Sequence, residues 1–153
     1  VIAVKGELIL VRHGKAENRE VNKADVDRML TDKGKSELEE FMLTLLPILE
    51  KKPYLIWTSP LLRAKQTAVI FQQALQLDEI VEKDFLASGD LDALQQDLDQ
   101  LDEHFAVICV GHEPILSSWV KKLTGQAIPF KKAGLASLLF EEDVSVDWRL
   151  APK

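Results

Sequence analysis

The chain has 153 residues, of which 46% are hydrophobic and 29% charged, with a formal net charge of −6. That size fits one domain spanning residues 1–153 with a core that needs no staple, the acidic balance argues against a general nucleic-acid groove, and no apolar run approaches the length of a membrane span. The chain opens at Val1 with no charged segment leading into a long apolar one, and its single cysteine, Cys109, cannot form an internal disulfide, so no signal peptide and a cytoplasmic location are expected.

The first element is the apolar run Leu8-Ile9-Leu10-Val11, a buried strand that ends in Arg12-His13-Gly14. A neutral imidazole has a lone pair to give, a guanidinium offers forked donors that match phosphate oxygens, and Gly14 lets the backbone turn sharply beside a ligand. Leu38, Phe41, Met42, Leu45 and Leu49 then share one helix face, and Pro47 predicts a kink or an early stop. A second strand runs from Tyr54 to Thr58. It leads into Ser59-Pro60, read as an N-cap and a first helical residue, with Ala64, Ala68, Phe71 and Leu75 as the buried face and Arg63 near the positive helix end.

Leu91, Leu94, Leu98 and Leu101 mark a third helix, and Ala106 to Gly111 a third strand, with Cys109 inside it as a small buried hydrophobe. Gly111-His112-Glu113-Pro114 closes that strand and opens a helix whose buried face is Ile115, Leu116, Trp119, Val120 and Leu123. Ala136 to Phe140 and Val146 to Leu150, joined by an acidic turn, read as a hairpin. Alternating strands and helices predict an α/β fold, a three-layer α/β/α sandwich around a mostly parallel mixed sheet. Ligands of such sheets collect outside the carboxyl ends of the strands, where Arg12, His13, Arg63 and His112 all fall. His13 as nucleophile, with Arg12, Arg63 and His112 holding three oxygens, suits phosphoryl transfer. Neither His13 nor His112 has further ligands at metal spacing, so no metal is expected, and His104 reads as a surface residue.

Arg12-His13-Gly14, Leu30-Thr31-Asp32-Lys33-Gly34, Ser59-Pro60 through Arg63 to Thr67-Ala68, and Gly111-His112 together resemble the signature of the histidine phosphatase superfamily. The resemblance runs from about Leu8 to Leu150. The short length and the late Lys132-Ala133-Gly134-Leu135-Ala136 stretch make the chain most similar to the small phosphohistidine phosphatases. The resemblance implies the phosphoglycerate mutase-like fold and a metal-independent reaction without cofactor, in which His13 is phosphorylated and Arg12, Arg63 and His112 complete the core of the site. The implied substrate is a phosphorylated protein, with phosphohistidine foremost, or a small phosphorylated metabolite.

Two further positions follow from the resemblance, each with a plainer alternative. Asn18 stands where larger members place an Asn on the phosphate, or is a loop residue bonded to its own backbone. Glu113 stands where the acid-phosphatase branch places a proton donor, or is a carboxylate that favours a helix start. Lys15 and Lys132 are candidates for positive potential at the mouth, and Thr67 for positioning Arg63. The chain departs from the family where mutases carry an acidic donor: Asp78, Glu79, Glu82, Asp84 and Asp90 have no motif around them, and no lid insertion is visible. An open site suits hydrolysis better than retention of an intermediate, so a mutase is the weaker alternative, as is a non-catalytic phosphoprotein-binding relative.

Overall fold

The computed structural model describes residues 5–20, 22–49 and 52–153; Val1, on which the leader expectation rests, lies outside them. In chain order the elements are β1 (Gly6–Arg12), a 3₁₀ turn (Asp25–Asp27), α1 (Asp32–Leu49), β2 (Leu55–Thr58), α2 (Leu62–Leu75), β3 (Val81–Glu82), α3 (Phe85–Ser88), α4 (Leu91–Asp99), β4 (Phe105–Gly111), α5 (Ile115–Thr124), β5 (Leu135–Phe140) and β6 (Val144–Leu150). The six strands form one sheet in the order β3-β2-β4-β1-β5-β6. The first four are mutually parallel, and β5 runs antiparallel to both β1 and β6, so the sheet is mixed as expected.

The strand β1 is apolar on successive residues because both faces of the sheet are covered. Leu8 and Leu10 pack with α3, α4 and α5 through Leu86, Leu94 and Trp119. Ile9 and Val11 pack with α1 and α2 through Leu38, Leu45, Ala68 and Phe71. These are the three layers read from the alternation of elements. No helix among the described residues is long and apolar enough to cross a membrane.

The structure departs from the sequence reading in several places. Pro47 does not stop α1, which runs on to Leu49. The carbonyl that Pro47 leaves without a donor belongs to Leu43, on the exposed side of the helix where water reaches it. The helix after β2 starts at Leu62, two residues beyond Pro60, and its flanking residue Leu61 makes no side-chain cap. Ser59 is instead fully buried at the strand end, with its Oγ accepting from Leu61 N at 3.2 Å. Pro114 likewise precedes α5. The elements β3 and α3 were not expected, being too short to show a period.

The Leu30-Thr31-Asp32-Lys33-Gly34 segment has a clear physical role. Thr31 Oγ1 accepts from Gly34 N at 2.9 Å, an N-cap for α1. Thr31 N donates to Lys15 O at 2.9 Å, which ties the helix start to the chain just after Gly14. A Cβ at Gly34 would run into the Lys15 carbonyl oxygen. Helix propensity alone favours Ala over Gly by about 1 kcal/mol. We expect Gly34→Ala to do the opposite, destabilising by about 1–3 kcal/mol through that clash. The urea midpoint should fall with the slope unchanged, whereas a raised midpoint would show that the 14–16 segment moves aside freely.

Candidate active site

The strands β2, β4 and β1 are neighbours in the sheet, so their carboxyl ends deliver Ser59, His112 and His13 side by side. At the end of β1, His13 Nδ1 donates to Gly14 O at 2.7 Å. That bond fixes the tautomer and leaves Nε2 as the nitrogen with a free lone pair. Arg63, in the first turn of α2, aims Nε at His13 Nε2 across 3.3 Å. Thr67 sets the spacing between these two elements: its Oγ1 accepts from Gly14 N at 3.1 Å and donates to Arg63 O at 2.9 Å. It positions the pair and packs, as the sequence suggested.

Arg12 is held from the other side. Its Nη1 donates to Phe130 O at 2.9 Å, and its backbone N to Gly134 O at 2.9 Å. His112 lies with its ring centroid 5.1 Å from that of His13. Its Nε2 is 2.7 Å from Ser59 Oγ. In the tautomer in which Ser59 Oγ–H donates to His112 Nε2, Nδ1 carries the ring proton. Among the described residues, the buried side-chain nitrogens or oxygens without a partner are Arg12 Nε and His112 Nδ1. An unsatisfied buried polar group costs about 1–3 kcal/mol. Both flank His13, and both are donors that an anionic oxygen would satisfy.

Residues 8–106 match the family model of the histidine phosphatase superfamily, branch 1. The chain belongs to that superfamily. An uncharacterized protein of Picosynechococcus is 34% identical over 139 residues, which cover 86% of this chain and 84% of the relative. Among solved structures, a SixA protein of Agrobacterium tumefaciens, provisionally described as a phosphohistidine phosphatase, superposes with a TM-score of 0.81 at 26% identity. That alignment covers 96% of this chain and 98% of the other. A protein histidine phosphatase SixA complexed with tungstate gives a TM-score of 0.76 at 24% identity, covering 95% of this chain and 97% of its own, a likeness of fold alone. As a member of the superfamily the protein is a phosphatase.

The electrostatics of this histidine phosphatase follow from crowding. Burial lowers His13 from its ordinary 6.5 to about 4, helped by the guanidinium charges of Arg63, Arg12 and Arg28 and opposed by the Gly14 carbonyl. Burial lowers His112 to about 3, with His13 and Arg63 adding repulsion and Asp25 opposing. Both imidazoles are therefore neutral near pH 7 without a ligand. For His13 this is the nucleophilic form. In the free enzyme His112 is neutral, and its Nδ1 has no partner.

The structure brings Arg12, His13, Arg63 and His112 together. Asn18 is exposed on the loop after β1, and no side-chain hydrogen bond joins it to those four. Glu113 sits beside His112 with both carboxylate oxygens on backbone donors: Oε1 takes Ser117 N at 2.8 Å and Oε2 takes Phe130 N at 3.2 Å. It braces the start of α5 and the N–H of Phe130, the residue whose carbonyl holds Arg12. Lys15 and Lys132 are exposed, as is His104. The sequence reading missed Asp25, whose carboxylate reaches Arg63. Nothing between Lys23 and Arg28 marks it, because a mixed-charge loop has no period.

Both histidines have folded values below their unfolded ones. The unfolded chain therefore takes up protons that the folded enzyme refuses, so this contribution to stability is complete above about pH 6.5 and is lost as the pH falls toward 4 and below. The slope is at most about 1.4 kcal/mol per pH unit for each histidine. We expect urea-unfolding free energies of His13→Asn and His112→Asn to decline less steeply between about pH 7 and about pH 5 than those of the parent. Identical slopes in all three proteins would mean that neither ring is held neutral by the fold.

Proposed function

We propose that the protein is a metal-independent protein phosphohistidine phosphatase in which His13 carries the transferred group. The observation that supports this best is the orientation of His13, with Nδ1 bound to the Gly14 carbonyl and Nε2 free beside Arg63. In the first step Nε2 attacks phosphorus, a new N–P bond forms, and the substrate P–N bond breaks with its electron pair left on the departing imidazole. Arg12, Arg63 and His112 neutralise the equatorial oxygens as charge shifts. In the second step water attacks the phosphorus of phospho-His13, the N–P bond breaks, and inorganic phosphate leaves.

The choice of phosphohistidine over a phosphomonoester rests on the proton donors. An alkoxide needs a proton as it leaves, which calls for a carboxyl kept neutral at the site. Glu113 has both oxygens on backbone N–H groups. The Asp25 carboxyl is pulled up by desolvation, but Arg63 and Arg28 hold it below the usual range. A phosphoramidate protonates on nitrogen in solution and needs less help. The single buried Cys109 accords with a cytoplasmic setting, which belongs to this reading.

The test is a panel of a histidine-phosphorylated protein, a phosphoserine peptide and a sugar phosphate, each with and without chelator. We expect kcat/KM on the phosphohistidine protein to exceed the other two by about 100-fold or more, a transition-state difference of about 2.7 kcal/mol. Chelator should change nothing. Equal or better turnover of the sugar phosphate would make the protein a small-molecule phosphomonoesterase. Tight binding of all three without turnover would make it a binding relative.

A further inference from the structure

An arginine guanidinium presents two bidentate edges, an end-on edge made by Nη1 and Nη2 and a side-on edge made by Nε and Nη2. In Arg63 they face different partners. Nη1 donates to Asp25 O at 2.9 Å, and Nη2 to Asp25 Oδ2 at 3.3 Å. Nε points at His13 Nε2, 3.3 Å away. We infer that Asp25 is a positioning residue for Arg63, occupying its end-on edge so that the side-on edge faces the nitrogen to which phosphorus is transferred. This rests on the reading of His13 as nucleophile, and nothing in the family comparison assigns Asp25.

Asp25 is itself fixed in place. Arg28 Nε donates to Asp25 Oδ1 at 2.8 Å, and Arg28 Nη1 to Glu17 O at 2.8 Å. Glu17 is tied in turn to Met29, with N–H to carbonyl at 2.8 Å and Oε1 accepting Met29 N at 2.9 Å. The 3₁₀ turn that bears Asp25 buries no residue of its own. It adds little to the core, and the buried group it touches is the Arg63 side chain, which is 7% exposed. Among the described residues, His13 and Asp25 are the side-chain partners of that guanidinium.

A carboxylate near a phosphate site repels the ligand, so its removal would tighten anion binding if charge were limiting. Arg12, Arg63 and Arg28 all bear on His13, so positive charge is in surplus. Orientation is what a flexible arginine lacks. Fixing its plane before substrate arrives removes an ordering cost from binding and aligns the donors with the transferring oxygens.

The test is a double-mutant cycle on Asp25 and Arg63, read by kcat/KM on para-nitrophenyl phosphate and by vanadate inhibition. Asp25→Ala should lower kcat/KM by about tenfold or more and weaken vanadate, yet change either reading by less than about twofold in an Arg63→Ala background. Asp25→Asn, which keeps an oxygen for Nη2, should restore activity to within about threefold of the parent. Should Asp25→Ala fail to fold, the same cycle with Asp25→Asn and Asp25→Ser decides. Additive losses would overturn the inference, as would tighter vanadate binding in Asp25→Ala. So would a loss confined to esters with poor leaving groups, which would mark Asp25 as a proton donor. A parent enzyme that favours sugar phosphates but shows the coupling would refute phosphohistidine as substrate and leave Asp25 as assigned. A parent that binds no vanadate would refute both.

Discussion

Four cationic or potentially cationic groups occupy one corner of this molecule, and they can do so only while the two imidazoles stay neutral. Arg63 and His112 are buried, and Arg12 and His13 are half-buried beside them. Four positive charges in so small a volume would repel strongly in a medium less polarisable than water. The guanidiniums cannot give up their protons, so the histidines do. Burial first, and the neighbouring guanidiniums after it, hold His13 in the neutral form that a nucleophile needs. In the proposed reaction the same crowding favours a dianion, whose arrival would relieve the repulsion and favour the protonated form of His112.

The fold supplies this corner by strand order. Because β4 lies between β1 and β2, three strand ends far apart in the sequence lie side by side. Local bonds then fix the angles. Thr67 joins the Gly14 amide to α2, and the Phe130 backbone joins Arg12 to Glu113 through its C=O and its N–H. Most of these partners are backbone groups, which have no rotamers to lose. A site built on them is rigid before substrate binds, and rigid donors stabilise developing charge without reorganising.

Much of this was legible in the sequence for particular reasons. A strand covered on both faces writes an uninterrupted apolar run, so β1, β2 and β4 could be placed, and with them His13 and His112. The helical stripes marked the layers because 3.6-residue periodicity survives over ten or more residues. The two residues of β3 and the four of α3 carry no such period. Ser59 misled because a serine before proline has the composition of an N-cap, while here its hydroxyl serves His112 and the turn at Leu61. Asp25 was invisible because its importance lies in a contact with a residue 38 positions away. Glu113 was open to two readings, and only the positions of Ser117 and Phe130 reveal where its oxygens point.

In the proposed reaction His13 Nε2 is the atom that takes the phosphoryl group. The most direct measurement is a rapid mixing experiment with a labile phosphodonor, stopped under neutral to alkaline conditions that preserve phosphoramidates. The site of label is then found by peptide mass spectrometry, and the ring nitrogen by phosphorus NMR. We expect stoichiometric, transient phosphate on Nε2 of His13, absent from His13→Ala. Phosphate found on His112, on Nδ1 of His13, or on no residue while substrate is consumed at full rate would contradict it.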